Sequence, residues 1–255
     1  MRSLIVASVL ALTGCNVSVG NLQARASDEW TRRYTLTAGG EVQIINTNGR
    51  IDVEGVDGNT VDVSAERVAR ATTEAAAKEM LPRITIKEDI RPDRVSIEAE
   101  RIQGLLIGVA VDVHYRVRAP RTAVVRLRAT NGAVTVSGIA GRVVASTTNG
   151  NVTAGDLSGG VEARATNGRV EVALASLGAD PVDLRTTNGQ VRLSMPATSK
   201  ANVSASCTNG TIDVEGLNLE PMGEQSRRRV RGRTNGGGTP VELTTTNGTI
   251  RLLAR

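Results

Sequence analysis

The tripeptide Thr-Asn-Gly recurs along the chain and constrains the fold more than any other feature of the sequence. Five copies in the middle of the chain follow one another at intervals of 18, 18, 21 and 21 residues, and further copies stand nearer the two ends. A regular period of this length indicates stacked structural units rather than one irregular core. The copies begin at Thr47, Thr130, Thr148, Thr166, Thr187, Thr208, Thr234 and Thr246.

The residues around the tripeptide repeat as well. Apolar side chains stand five and three positions before the threonine and four and six positions after it, and most residues between them are polar. Val161 and Val170 are two of these apolar residues around Thr166. The alternation predicts two short strands per repeat, each with one buried face. Asn-Gly stands between the strands because both residues tolerate a positive φ angle at low steric cost.

The copy at Thr234 departs from this pattern, because Arg229 and Arg233 fall where a valine and a small residue belong. The sequence therefore predicts seven rungs. We expect the asparagines of these seven tripeptides to hydrogen-bond to one another at the turns, which is a structural role. They are Asn48, Asn131, Asn149, Asn167, Asn188, Asn209 and Asn247.

Two all-β architectures fit the repeats. In the first, each Asn-Gly is a two-residue hairpin turn, which gives an antiparallel meander or sandwich. In the second, the chain turns a corner at Asn-Gly, and each repeat is one coil of a single-stranded parallel β-solenoid in which like residues stack. We favour the solenoid, because stacking requires every column to match its counterpart one repeat later and a hairpin does not. The scarcity of aromatic residues, with one Trp, two Tyr and no Phe, agrees with a thin core.

The repeats and the segment GGGTPVELTTTNGTIRL at Gly236–Leu252 resemble a bacterial family named "putative adhesin". This is a domain family of unknown function related to the head domains of autotransporter adhesins. The resemblance covers residues 34–255 and implies a right-handed parallel β-helix on an exported protein. It implies no established activity, and the family has no catalytic motif to carry over.

The N-terminus has the features of a lipoprotein precursor. Residues 1–14 contain an apolar run that is too short to span a bilayer and is typical of a signal peptide. The sequence Leu-Thr-Gly-Cys, ending at Cys15, resembles the bacterial lipobox, which implies that Cys15 is acylated and anchors the chain in a membrane. Asn16 resembles the residue found there in outer-membrane lipoproteins. We expect an outer-membrane lipoprotein, on the periplasmic side or the cell surface, with residues 15–33 as a tether.

Two segments interrupt the repeats. Residues 66–81 are rich in alanine and are followed by Pro82, so we expect a helix that crosses over or covers an end of the solenoid. Residues 216–240 are an expected basic loop, which is either a solvated insertion or a site for phosphate or acidic polysaccharide. Its arginines are Arg227, Arg228, Arg229, Arg231 and Arg233.

A second basic feature lies on the repeats themselves. One outward column carries arginines, and the column beside it carries carboxylates. We expect a cross-strand charge ladder, with a basic strip for acidic glycans as the alternative. The residues are Arg128, Arg164 and Arg185 in the first column and Glu162, Asp183 and Glu242 in the second.

The sequence predicts no catalytic, cofactor or metal site. His114 is the only histidine, and Cys207 occupies a small-residue column, so we expect a structural histidine and a buried thiol. The net charge of +5 raises nucleic acid as a partner, but expected export argues against it. We therefore expect a non-enzymatic, lipid-anchored envelope module that presents a surface to an acidic glycan or an envelope protein. The alternatives are an accessory protein of envelope stress or signalling, and a glycan-active hydrolase or lyase.

Overall fold

The computed structural model describes residues 22–100, 102 and 108–255. The predicted signal peptide and Cys15 lie outside the described residues. Within them the chain forms one α-helix, α1 (Glu74–Met80), a short 3-10 turn (Leu81–Arg83) and twenty-one strands. The strands are β1 (Ala24–Thr35), β2 (Glu41–Asn48), β3 (Ile51–Val56), β4 (Thr60–Ala71), β5 (Ile86–Arg91), β6 (Arg94–Ala99), β7 (Val109–Pro120), β8 (Val124–Asn131), β9 (Val134–Ser137), β10 (Val143–Asn149), β11 (Val152–Leu157), β12 (Val161–Asn167), β13 (Val170–Leu174), β14 (Val182–Asn188), β15 (Val191–Met195), β16 (Ala201–Asn209), β17 (Ile212–Glu215), β18 (Leu219–Pro221), β19 (Arg229–Thr234), β20 (Thr239–Asn247) and β21 (Ile250–Ala254).

The strands form two sheets, and each Asn-Gly corner carries the chain from one sheet to the other. The eleven-stranded sheet has the order β18-β19-β16-β20-β14-β12-β10-β8-β2-β6-β5, and the ten-stranded sheet has the order β1-β4-β7-β3-β9-β11-β13-β15-β21-β17. Seven rungs carry the tripeptide: β2–β3, β8–β9, β10–β11, β12–β13, β14–β15, β16–β17 and β20–β21. Neighbouring rungs pair in parallel, so the predicted solenoid of seven rungs is confirmed. The hairpin meander is wrong, because in each of the seven rungs the strands on either side of the Asn-Gly belong to different sheets.

Like residues stack on like residues along the array. Val161 pairs with Val143 on one side and Val182 on the other, and Asn167 pairs with Asn149 and Asn188. The apolar columns are buried and form one continuous core of mainly Val, Ile, Leu and Ala. Burial of each Val, Ile or Leu side chain contributes about 1.5–3 kcal/mol. A core one side chain thick from each sheet is filled mostly by aliphatic residues, which agrees with the composition, and among the described residues Tyr115 is its one fully buried aromatic side chain.

The order of the rungs in space differs from their order in sequence. The C-terminal rung, β20–β21, lies between β14–β15 and β16–β17 rather than at the end of the array. At the other end, β6 and β7 pair in parallel with β2 and β3 and make a further rung that lacks the tripeptide. The chain therefore leaves a one-rung gap after β15 and fills it with its last strands.

The tether predicted through residue 33 is wrong over its second half, because β1 begins at Ala24 and pairs antiparallel with β4 along its whole length. The apolar alternation of the strand is weak: Ala26 is buried and Trp30 and Tyr34 pack against the core, but the strand lies at the edge of the ten-stranded sheet and most of its side chains are exposed. Backbone pairing and ion pairs hold it in place. One of these ion pairs joins Arg67 to Asp28 at 2.6 Å.

The helix predicted over residues 66–81 is correct only in its last half, because the first residues continue β4 to Ala71. Val68 and Ala69 are fully buried there, and β4 pairs with β1 and β7 on its two sides. Tertiary pairing thus overrides the helix propensity of the alanines and charged residues. Thr73 caps α1 by accepting a hydrogen bond from the backbone N–H of Ala76. No helix in the described part of the chain is long and apolar enough to cross a bilayer.

The predicted basic loop of residues 216–240 contains two strands and is therefore not a loop throughout. β19 adds antiparallel to the free side of β16, and β18 adds antiparallel to β19, so both extend the eleven-stranded sheet. Thr234, which the column pattern excluded from the rungs, lies at the end of β19 and donates to the backbone carbonyl of Ser199. The segment is thus an ordered extension of the array, and its outward side chains continue the outward columns of the rungs.

Candidate functional site

The corners of the rungs form one edge of the solenoid, and a ladder of amide hydrogen bonds runs along it. In each bond the Nδ2 of one asparagine donates to the Oδ1 of the asparagine before it in the ladder, at 2.8 or 2.9 Å. The ladder follows the spatial order of the rungs, so its last two members are reversed relative to the sequence. It runs Asn48, Asn131, Asn149, Asn167, Asn188, Asn247 and Asn209.

The glycine at each corner is required by the closeness of the rung beneath it. A β-carbon at Gly168 would stand well under 3.0 Å from the carbonyl oxygen of Gly150, and the φ angle of Gly168 is +159°. Some corners add a buried threonine just before the tripeptide. Thr147 and Thr186 each donate a hydrogen bond to a glycine carbonyl of a neighbouring rung, at 2.9 and 2.8 Å. The corners are therefore rigid, and they hold the outward side chains of the adjacent strands at fixed spacing.

Two outward columns of the eleven-stranded sheet lie beside this edge and carry only arginine and hydroxyl side chains over six strands. The first column stands two residues before each tripeptide threonine, and the second consists of the threonines themselves. In spatial order the first holds Arg128, Ser146, Arg164, Arg185, Thr244 and Ser206, and the second holds Thr130, Thr148, Thr166, Thr187, Thr246 and Thr208. These residues line a groove, which we call the arginine–threonine groove.

The strand β19 extends the first column by one more arginine. Arg229 pairs with Ser206 in the antiparallel register, so both side chains lie on the same outward face. Six strand spacings separate Arg128 from Arg229, a distance of roughly 29 Å at about 4.8 Å per strand. Arg228 and Glu224 line the groove at the β19 end, and Glu98 and Glu100 lie at the other end. Carboxylates therefore flank the groove at its ends, and its length is basic and hydroxylated.

The carboxylates predicted to share an outward column form the adjacent column on the same sheet, where they bind arginines of the groove. Arg164 bonds to both Glu162 and Asp183, and Arg185 bonds to both Asp183 and Glu242. The predicted charge ladder is thus present. Its ion pairs hold the two central guanidinium groups across the sheet, with their side chains about half exposed.

The arginines of the groove are not all neutralised. Within residues 22–100, 102 and 108–255, Arg128 and Arg229 form no ion pair with a carboxylate. The same holds for Arg227, Arg228 and Arg231, whereas the fifth arginine of the predicted basic loop, Arg233, bonds to Glu220 at 2.8 Å. Each end of the groove therefore carries guanidinium groups that form no ion pair within the described residues, and carboxylates lie near them without direct contact.

The remaining candidate residues, His114 and Cys207, lie in surroundings that indicate structural roles. His114 accepts a hydrogen bond from the backbone N–H of Arg50 at 3.3 Å. Cys207 is a buried free thiol beneath the groove; its burial raises the pKa of the thiol, and the nearby positive charge of Arg228 opposes that rise. The described residues contain no group of three or more His, Cys, Asp or Glu side chains placed to hold a metal ion. The carboxylates beside the groove are each bound to arginine, which fits a charge ladder better than a general acid and base.

The sequence predicted both the arginine column and the basic segment, but it did not predict that the two lie side by side. The arginine column and the basic segment are separated by up to about 100 residues in the chain, and the link between them is the antiparallel pairing of β19 with β16. One signal pointed to it: Arg229, Arg231 and Arg233 alternate with smaller residues, which is the period of a strand with an outward basic face.

Two stacked sheets joined by Asn-Gly corners, with an asparagine ladder along one edge, define a β-solenoid. The chain belongs to the Toastrack DUF4097 family, whose model matches residues 84–253. The predicted membership of an adhesin-like family of unknown function is confirmed by this match. No curated protein matches the chain in sequence.

Solved structures align with the chain at low sequence identity, and one of them has a TM-score above 0.5. A protein of Clostridium sporogenes described as a "putative cell adhesion protein" aligns with 10% identity and a TM-score of 0.54, over 90% of this chain and 100% of its own. A "putative adhesin" of Bacteroides fragilis aligns with 9% identity and a TM-score of 0.43, over 89% of this chain and 97% of its own. At such identities the likeness concerns the fold alone.

Proposed function

We propose that this protein is an exported, lipid-anchored and non-enzymatic module of the cell envelope that binds a linear anionic glycan along the arginine–threonine groove. One observation carries the proposal: arginines and hydroxyl groups line an outward groove roughly 29 Å long, and carboxylates stand only beside it and at its ends. A ligand with regularly spaced negative charges matches a surface whose side chains repeat at every strand.

The chemistry of the two columns suits an acidic polysaccharide. Arginine presents a planar fork of N–H donors that fits carboxylate, sulfate or phosphate groups. Threonine and serine hydroxyls both donate and accept, as the hydroxyl groups of a sugar do. The rigid corners fix these groups in advance, so little side-chain order has to be created on binding. The ion pairs of Arg164 and Arg185 hold those two guanidinium groups in place for the same purpose.

Anchoring through Cys15 would keep the groove close to a membrane. Ala24, the first residue of β1, lies nine positions after Cys15, and a fully extended chain over that length spans at most about 32 Å. The Clostridium sporogenes protein with a similar fold is described as a "putative cell adhesion protein", and a surface-binding role for this chain is in keeping with that description.

The test is a binding assay on the chain from Asn16 onward, which contains every described residue. The probes are polygalacturonate, as a linear anionic glycan, and dextran, as a neutral one. We expect polygalacturonate to bind, dextran not to bind, and the affinity to fall as salt is raised from 50 to 300 mM, because exposed charges are screened. Equal binding of both glycans, or binding of neither, would refute the proposal.

Variants locate the site. Arg128→Ser and Arg229→Ser each remove one unpaired charge from the groove, and each should weaken binding of polygalacturonate about three- to tenfold at 50 mM salt, or about 0.7–1.4 kcal/mol. Arg116→Ser is the matched control, since Arg116 is exposed on the outer face of the ten-stranded sheet and, like the two groove arginines, forms no ion pair with a carboxylate among the described residues. The same loss in all three variants would show that net charge alone drives the binding.

A further inference from the structure

The C-terminal rung occupies a slot that the rest of the chain leaves open. β20 lies between β14 and β16 in one sheet, and β21 lies between β15 and β17 in the other. Within the described chain, the strands β16 to β19 pair with the main array only through this rung. Without β20–β21, the last module would be attached to the array by the connecting residues 196–200 alone.

Both walls of the slot carry the same columns as the rung that fills it. Val241 lies between Val182 and Val203, and Asn247 lies between Asn188 and Asn209. Most of the pairing is made by backbone groups and by these columns, and the ion pairs of Glu242 with Arg185 and of Arg251 with Asp213 add to it. The C-terminal rung of any copy of the chain therefore fits the slot of any other copy.

The connection to this rung is a short hinge. Asn235–Gly238 joins the end of β19 to the start of β20 in four residues. Three of the four, Asn235, Gly236 and Gly237, have positive φ angles of 51°, 85° and 87°. The chain therefore reverses its direction within a few residues. A short hinge that is held in such a restricted conformation favours domain swapping of the element that follows it.

We propose that the C-terminal rung, residues 239–255, is donated between two copies of this chain, which gives a dimer in which each slot is filled by the partner's rung. The exchanged form keeps every contact of the slot and changes only the hinge, so the two forms differ little in contact energy. Protein concentration during folding then decides between them. The dimer would carry two arginine–threonine grooves, which increases the avidity for a long polymer.

The test places one cysteine on a wall of the slot in one chain and a second cysteine on the C-terminal rung of another chain. Ser206 and Thr244 are outward neighbours on β16 and β20. Chains carrying Ser206→Cys with one tag and Thr244→Cys with another, both with Cys207→Ala and both starting at Asn16, are refolded together and oxidised. A disulfide between the two tags is expected, and its yield should rise with protein concentration. The doubly substituted single chain, refolded at high dilution, is the control and should form the same disulfide within one chain.

Lengthening the hinge gives a second readout that needs no disulfide. Insertion of Gly-Ser-Gly-Ser after Gly236 should relax the reversal and lower the fraction of dimer measured by light scattering after concentrated refolding. Deletion of Gly236 and Gly237 should raise it. A chain that stays monomeric at all concentrations with every hinge, and gives no disulfide between tags while the control chain closes its own, would overturn the proposal.

Discussion

The carbonyl oxygen of Gly150 lies where a β-carbon on Gly168 would have to stand. The two glycines occupy the same corner of neighbouring rungs, and the same close approach recurs along the array. This contact explains why the third residue of the repeated tripeptide is glycine. It also explains why the rungs can pair at the corner itself, where the backbone N–H of Gly150 donates to the carbonyl of Asn167 at 3.0 Å.

Substitution of this glycine should be costly. Gly168→Ala introduces a β-carbon that must displace backbone, and it also forces alanine to a φ angle of +159°. We expect a loss of about 3 kcal/mol or more in the free energy of unfolding, measured by urea denaturation. Gly155→Ala is the control, because no atom lies within 4 Å of the position of its β-carbon and its φ angle is not positive. Equal losses for the two variants would contradict the close-approach argument.

The asparagine ladder should contribute to stability according to position. Asn167 donates to Asn149 and accepts from Asn188, whereas Asn209 stands at the end of the ladder and bonds only to Asn247. Asn167→Ala breaks two side-chain hydrogen bonds, so we expect a loss of about 1–2 kcal/mol in the free energy of unfolding. Asn209→Ala should cost about half as much. The prediction fails if the terminal substitution is the more damaging one.

Lipidation is tested in the full precursor. Cys15→Ser removes the thiol that acylation requires, so the exported protein should lose its acyl chains by mass spectrometry and leave the membrane fraction. Cys207→Ser is the matched control, since this cysteine is buried in the described fold and should have no part in anchoring. Unchanged acylation after Cys15→Ser would show that the N-terminal segment is not a lipoprotein signal.

The thiol of Cys207 should react slowly with iodoacetamide in the native state. Burial raises the pKa of this thiol, and the positive charge of Arg228 opposes the rise. The raised pKa favours the protonated form in the folded protein, so its contribution to stability is present below the ordinary thiol pKa and is lost as the pH rises above it. Arg228→Ser removes the opposing charge, and alkylation at pH 8.5 should become slower still. Faster alkylation of this variant than of the parent, with equal rates in denaturant, would contradict the assignment.

The pairing register could be predicted from the sequence, but the order of the rungs could not. Alternation around Val161 identified the buried face, and alignment on the tripeptide matched each residue with its neighbour in the next rung, including the asparagines. The matched columns do not predict the order of the rungs in space, because Val241 would fit beside any of the valines in its column. Only the contacts of the whole chain place it between Val182 and Val203.

The N-terminal half was harder for a related reason. β1 is held mainly by backbone pairing and by exposed ion pairs such as that between Arg25 and Glu66, and its apolar contacts, at Ala26, Trp30 and Tyr34, are too sparse to form a clear periodic pattern. The stretch that begins at Glu66 has the composition of a helix and lies between two long strands, so its neighbours decide its conformation. The sequence predicted the arginine column and the basic segment as separate features. They form one groove because β19 pairs with β16, which places Arg229 in the column of Arg128, and that pairing depends on the path of the chain.

Because the rungs stack in register, the number of rungs sets the length of the outward face. Each rung adds one threonine, one asparagine of the ladder and one strand spacing of about 4.8 Å. Removal of residues 143–160, one complete repeat, would bring Val125 against Val161 and Asn131 against Asn167 and leave every column continuous. Duplication of a repeat would lengthen the surface by the same step. Length in such a protein changes in whole units, so gain or loss of a repeat adjusts its reach without the redesign of any contact.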